Sequence, residues 1–121
     1  MGALLVMIYQ CSKGGGALRA AFPDQIQPDE CRAIIDLMMH NEVGPILITG
    51  GSPDGVVAHK HGWDFVPLHN VADVGLVFAG NGKYVLGIYL YRSEPMVFDD
   101  FDRIVISSAR AIYNFYNQAL Q

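Results

Sequence analysis

Hydrophobic and polar positions along the chain predict helices at both ends and strands between them. The first candidate helix, Ala3 to Cys11, is apolar at nearly every position and has no capping side chain before it. A helix of this kind is expected to be buried on all sides. The glycine run in Ser12 to Gly16 ends it, and Ala17 to Gln27 is expected to be an irregular connection. A second helix is predicted from Pro28 to about Asn41, because apolar residues recur there every three or four positions.

Three strands are predicted in the middle of the chain, after a loop from Ile46 to Gly55. They are Val56 to Trp63, Val74 to Ala79 and Lys83 to Tyr91. The sequence Gly80-Asn81-Gly82 predicts a tight hairpin between the second and the third. In the third strand both alternating sets of side chains are apolar or aromatic, which predicts that other elements cover it on both faces.

A long helix is predicted to close the chain, with Asp99 or Asp100 as its cap. Its apolar stripe comprises Phe101, Ile104, Val105, Ile112, Phe115, Tyr116 and Leu120. One helix covers one face of a sheet, so the other face is left for the two N-terminal helices or for another polypeptide. The predicted fold class is therefore α+β: a three-stranded antiparallel meander with two N-terminal helices and a long C-terminal helix.

Composition and charge exclude several classes of protein. The 121 residues carry 17% charged side chains, below the roughly 25% of an average domain, and a net charge of −4. This composition excludes a disordered chain, and the absence of a basic cluster argues against a nucleic-acid partner. The longest apolar run, Gly2 to Tyr9, is far shorter than the ~20 residues that span a membrane. No targeting signal is recognisable, so the compartment is left open.

Two cysteines, Cys11 and Cys31, lie far apart and form no C-x-x-C motif. We expect them to be separate buried thiols that behave as small hydrophobic residues.

The densest polar segment lies within the first predicted strand, around Lys60. Alternation places Lys60 and Gly62 on one face and His59 and His61 on the other. A lysine beside a glycine is a place where the carboxylate of a ligand can approach the backbone closely. A solvated strand end is the simpler alternative for the same residues.

A metal site is a further alternative, with His59 and His61 as ligands and His69, Asp64 or Asp73 as the third. The spacing is similar to the start of the H-x-H-x-D-H pattern of metallo-β-lactamase-fold hydrolases. However, Trp63 and Asp64 stand where that pattern requires Asp and His. We therefore expect no metal and no other cofactor.

A larger resemblance extends over nearly the whole chain. The segments Val57-Ala58-His59-Lys60-His61-Gly62-Trp63, His69 to Val77 and Tyr84 to Leu90, followed by an amphipathic helix, resemble the C-terminal half of serine β-lactamase-like hydrolases. These are the class A β-lactamases and the relatives of penicillin-binding proteins. In that family a strand bears Lys-Thr-Gly or Lys-Ser-Gly, two antiparallel strands follow, and a long helix packs on the sheet. Met1 to Leu5 resembles the helix after the family's Ω-loop, and Pro28 to Asn41 the helix before the Lys-x-Gly strand.

The resemblance implies roles for four residues. Lys60 would bind the substrate carboxylate and, as a catalytic residue, set the electrostatics around the nucleophile, and Gly62 would keep the strand open to substrate. His61 occupies the position where Thr or Ser normally donates a hydrogen bond, and the backbone N–H of Trp63 would be one oxyanion-hole donor. Asp73 stands where many class A enzymes carry an arginine, and it is expected to repel a substrate carboxylate.

The family's nucleophile is missing from this sequence. It lies in S-x-x-K, with S-D-N after it, and none of the chain's serines has Lys three residues later. Those serines are Ser12, Ser52, Ser93, Ser107 and Ser108. We therefore expect residues 1–121 to form a single partial domain, with helices and loops in 1–55 and strands and the closing helix in 56–121.

Two functions follow as expectations. In the first, the chain is the C-terminal portion of a serine hydrolase that acts on an amide or β-lactam substrate, is inactive alone, and works with an N-terminal half that is missing or is a separate chain. In the second, the chain is a non-catalytic α/β sensor or scaffold module that forms a homodimer through its sheet. Relatives of the first kind are often exported.

Overall fold

A three-stranded sheet organises the part of the chain that the structure describes, residues 1–40, 44–53 and 56–118 of a computed structural model. Helices precede and follow the sheet. The elements, in chain order, are α1 (Gly2–Ser12), α2 (Gly16–Ala21), α3 (Pro28–Met39), α4 (Leu47–Gly50), β1 (Val57–Trp63), β2 (Asn70–Ala79), β3 (Gly82–Tyr91) and α5 (Phe98–Gln118).

The sheet is an antiparallel meander in the order β1-β2-β3. Its register places Lys60 opposite Val74 and Trp63 opposite Val71. The predicted hairpin at Gly80-Asn81-Gly82 is confirmed, since Ala79 pairs with Gly82. The prediction for β2 was four residues too short, because the strand extends back to Asn70 and includes a buried acidic residue that breaks its apolar pattern.

Each face of the sheet carries its own hydrophobic core. One core packs α1 and α3 against Ala58, Val74 and Leu76. The other packs α4 and α5 against Val57, Val71 and Val77, with Phe101 as its largest fully buried side chain. Of the two alternatives for the face opposite α5, the N-terminal helices thus cover the part around Ala58, Val74 and Leu76.

Two segments expected to lack helix contain short helices. Gly16–Ala21 forms α2, because Ala, Leu and Arg are strong helix formers that outweigh the glycines before them. Leu47–Gly50 forms α4, whose first turn is held from outside: the Leu47 N–H donates to Asp102 Oδ1 at 2.6 Å. Leu47 itself has a φ of 54°, a conformation that a leucine adopts only when its surroundings impose it.

Burial of α1 and β3 is less complete than predicted. Leu4 and Val6 of α1 are 40% and 41% exposed, because only one side of this helix contacts α3 and the sheet. Tyr89 and Tyr91 of β3 are 65% and 73% exposed, so the face opposite Leu86 is covered only near Val85, which packs against the core of α1 and α3. Apolar side chains on both faces of β3 therefore did not establish that other elements cover both faces.

Helix α5 begins at Phe98, with Asp99 and Asp100 in its first turn. Its buried stripe is Phe101, Val105 and Ala109, at i, i+4 and i+8, whereas Ile104 and Phe115 are exposed. Two sequence predictions lie outside the described residues, namely the end of the second helix at Asn41 and the last position of the stripe, Leu120.

The cysteines form a disulfide, which corrects the expectation of separate thiols. Cys11 of α1 and Cys31 of α3 have Cα atoms 5.9 Å apart, and both residues are buried. Their separation of 20 residues matches no local motif, and the pairing depends on how two helices cross. The bond joins α1 covalently to the helix that packs on β1.

We predict that replacing both cysteines by alanine lowers the free energy of unfolding by about 3 kcal/mol, because the disulfide restricts the unfolded chain. Urea denaturation of the two proteins measures this change. Dithiothreitol should destabilise the native protein but leave the double variant unaffected. Equal sensitivity of both proteins to the reductant would contradict the prediction.

Candidate functional site

Strand β1 carries the four residues to which the family resemblance assigns roles, namely Lys60, His61, Gly62 and Trp63. The register confirms that Lys60 and Gly62 lie on the face of α3, and that His61 and Trp63 lie on the face of α5. The lysine and the glycine therefore share a side of the sheet, and the two rings share the other.

The pattern of backbone hydrogen bonds between β1 and β2 determines which N–H and C=O groups of β1 point away from the sheet. Phe78 donates to the carbonyl of Val56 at 2.8 Å, and Asp64 donates to the carbonyl of Asn70 at 3.3 Å. Bonded and non-bonded pairs alternate in an antiparallel ladder, so the even-numbered residues of β1 bond to β2. The N–H and C=O of Trp63 therefore point away from β2, toward the outer edge of the described sheet.

The face with Lys60 and Gly62 is open to a ligand. The side chain of Lys60 is exposed, and its Nζ donates to the outward-pointing carbonyl of His61 at 2.5 Å. A Cβ added at Gly62 would meet no atom within 4 Å. A cation and an unobstructed stretch of backbone thus lie side by side on the outer edge of the sheet.

His61 lies between two other rings on the opposite face. It stacks on Trp63 with ring centroids 4.8 Å apart, and its centroid is 5.5 Å from that of His59. Partial burial, then the charge of Lys60 and then His59, lower the pKa of His61 below its usual 6.5, while Asp73 opposes them. The lowered pKa favours the neutral form of His61.

A buried hydrogen-bonded pair lies behind the site, and sequence reasoning did not find it. His59 Nδ1 lies 3.0 Å from both carboxylate oxygens of Asp73, and the two residues are 2% and 1% exposed. Oδ2 of Asp73 also accepts the N–H of Ile48 at 3.1 Å. Asp73 lies on the face opposite Lys60 and is engaged by His59, and its expected repulsion of a substrate carboxylate stays a prediction. The sequence signal that could have revealed this pair is a histidine and an aspartate in two successive strand segments, at positions where apolar side chains are expected.

Asp64 organises the connection after β1. Its Oδ1 accepts the backbone N–H groups of His69 and Asn70, both at 2.8 Å, and its Oδ2 accepts the Asn70 side chain at 2.7 Å. These hydrogen bonds, that of the Asn70 N–H above all, lower the pKa of Asp64 below its usual value. Beside this connection is a cavity of about 590 Å³, whose lining includes Trp63, Phe65, Leu68, Met96 and Phe98.

The residues considered for a metal site do not form a set of three ligands in the described part of the chain. The ring Nδ1 of His69 faces the carbonyl of Arg92 at 3.0 Å, while Asp64 binds the turn and Asp73 binds His59. In residues 1–40, 44–53 and 56–118, no three His, Cys, Asp or Glu side chains are grouped closely enough to hold a metal ion. Nor does this part of the chain contain a helix long and apolar enough to cross a membrane.

Comparison with known families finds a match that covers most of the chain. The profile of the Beta-lactamase enzyme family matches residues 18–116. The chain belongs to this family. The match confirms the resemblance drawn from the sequence, and it does not favour the sensor or scaffold alternative.

Solved β-lactamases share the fold of this family member. It superposes on the TLA-1 extended-spectrum β-lactamase with a TM-score of 0.65 and 20% identity, over 84% of this chain and 39% of that one. A class A β-lactamase from Bacteroides cellulosilyticus gives a TM-score of 0.64 and 23% identity, over 82% of this chain and 38% of that one. The chain thus spans about two-fifths of these structures, and the predicted α+β class is confirmed. Comparison with curated proteins gives no match.

We predict that Asp64→Asn lowers the melting temperature of this β-lactamase-family chain at neutral pH. A lowered carboxyl pKa stabilises the fold above the unfolded-state pKa, and this contribution disappears as the pH falls through the folded-state value. Thermal melts from pH 2 to 7 should therefore show two curves that converge at the acidic end. Asp24→Asn, at an exposed carboxylate, is the control for loss of a charge. A difference between wild type and Asp64→Asn that is independent of pH would contradict the prediction.

Proposed function

We propose that this chain provides one wall of the active site of a serine hydrolase that transfers or hydrolyses the acyl group of an amide or β-lactam. The observation that carries the proposal is the joint arrangement at the outer edge of β1. An exposed lysine and an open glycine share one face, and the Trp63 N–H points outward beside them. The Lys-x-Gly strand of a β-lactamase-like enzyme needs these three features together.

In the proposed site, Lys60 binds the carboxylate of the substrate. Its ammonium is a compact charge with three donors, and one of them already donates to a carbonyl of the same strand edge. Gly62 lets the substrate approach the backbone without meeting a side chain. Both residues act on the ligand from the face of α3.

The Trp63 N–H is proposed as one donor of an oxyanion hole. A backbone donor fixed by a ladder needs no reorganisation when negative charge develops on the carbonyl oxygen of the substrate. The apolar cavity beside the Trp63 ring offers space for an apolar substituent on the acyl group.

The nucleophilic serine is proposed to come from a polypeptide segment outside these 121 residues, because no S-x-x-K or S-D-N motif occurs among them. That segment would be an N-terminal half, continuous with this chain or separate from it. A homodimer is the other arrangement that would cover the exposed tyrosines of β3, but it would not supply the missing motif.

The test is acylation by a fluorescent penicillin of the protein that contains this chain together with its N-terminal half. We expect covalent label on a serine outside residues 1–121, located by mass spectrometry of the labelled peptide. The 121-residue chain alone should stay unlabelled. Label on one of the chain's own serines, or no label on the complete protein, would contradict the proposal.

We further predict that Lys60→Ala slows acylation roughly ten- to hundredfold, which is the loss of one charge-assisted hydrogen bond of about 1.5–3 kcal/mol. Lys83→Ala is the matched control, since Lys83 is an exposed lysine at the start of β3. It should leave the rate unchanged. Equal rates for the two variants would remove Lys60 from the mechanism.

The variant Gly62→Ala distinguishes an effect on ligand access from an effect on folding. Because an added Cβ meets no neighbouring atom, the melting temperature should stay at the wild-type value. Acylation should nevertheless fall, since the methyl group occupies the space through which the ligand reaches the backbone. A variant that is acylated at the wild-type rate would show that the ligand does not approach Gly62.

A further inference from the structure

The buried pair of His59 and Asp73 has no part in the proposed chemistry, yet it joins three elements. His59 is on β1, Asp73 is on β2, and the carboxylate also accepts the Ile48 N–H of α4. Oδ2 of Asp73 accepts the Ile48 N–H, and both carboxylate oxygens lie 3.0 Å from Nδ1 of His59. These contacts hold the orientation of the His59 ring.

From His59, a series of rings extends along the same face of β1 toward the candidate site. The His61 ring lies beside it, Trp63 stacks on His61 with an interplanar angle of 15°, and Trp63 meets Phe98 of α5 edge-on with centroids 5.1 Å apart. Ring contacts thus link every second residue of β1, from His59 of the buried pair to Trp63 at the end of the strand. The intervening residues, Lys60 and Gly62, face the other way.

Stability alone is a weak reason for burying two such groups. The cost of removing them from water offsets most of their attraction, and apolar replacements of similar volume are often neutral or stabilising. What an apolar pair cannot do is fix the direction of a ring and a strand through directional hydrogen bonds.

We propose that His59 and Asp73 form a positioning pair, which holds the backbone of residues 60–63 at the angle that the candidate site requires. The consequence for catalysis rests on the function proposed above. The positioning itself can be measured without catalysis, because Trp63 is the chain's single tryptophan and its fluorescence reports on the end of the ring series.

The first experiment compares Trp63 emission and acrylamide quenching in wild type, Asp73→Asn and the double variant His59→Phe/Asp73→Leu. We expect a shifted emission maximum and at least a twofold higher quenching constant in both variants. Val57→Ala is the matched control, because Val57 is buried on the same face of β1 but makes no hydrogen bond to the pair through its side chain. It should lower the melting temperature and keep the wild-type emission.

If Asp73→Asn does not fold, the double variant still decides the test. The double variant replaces both polar side chains and so leaves no unpaired polar group in the core. A folded double variant with wild-type emission and quenching would overturn the proposal, because a merely structural pair would be replaced by apolar packing without effect on Trp63.

The second experiment separates this proposal from the proposed function, using fluorescent penicillin and the complete protein. If wild type is acylated, we expect at least a tenfold slower rate for Asp73→Asn and a rate within twofold of wild type for Val57→Ala. An undiminished rate for Asp73→Asn would overturn the positioning role. If wild type is not acylated, the proposed function fails, and the fluorescence comparison alone decides whether the pair positions Trp63.

Discussion

The register between β1 and β2 is the constraint on which the rest of the structure depends. A shift by one residue would exchange the two faces of β1, so that Lys60 would enter the core of α4 and α5. Polar contacts at two levels oppose such a shift. Asp64 closes the ladder at one end through two backbone N–H groups, and the bond between His59 and Asp73 holds the middle. Polar groups whose hydrogen-bond partners lie at fixed positions specify a register that alternating valines would leave less defined.

Each face of the sheet is then stabilised by a different means. The face of α3 carries the smaller apolar contribution from β1, a single alanine, and it is reinforced by the disulfide between α1 and α3. The face of α5 has a larger core, with Phe101 and Val105 fully buried, and needs no covalent link. The candidate site lies at the edge where both cores end. A backbone edge fixed from both sides is suited to holding donors in place before a ligand arrives.

The sequence predicted the elements whose signal is local and missed those held from a distance. Alternation gave the three strands and the faces of Lys60 and His61, and helical spacing gave α3 and α5. Helix α4 escaped prediction because carboxylates from β2 and α5 hold its first turn. The disulfide and the buried pair escaped for the same reason: each joins residues that only tertiary packing brings together. The motif search still placed Lys60, Gly62 and Trp63 on one strand, because that pattern is contiguous.

His61 stands where the family normally has Thr or Ser, and the direction of its side chain determines what this difference implies for the proposed site. Its ring stacks with Trp63 on the face of α5, and its lowered pKa disfavours a second positive charge beside Lys60. In the proposed site, a substrate carboxylate would then be bound by one ammonium group without help from a neighbouring hydroxyl. Affinity would have to come instead from apolar contact around Trp63.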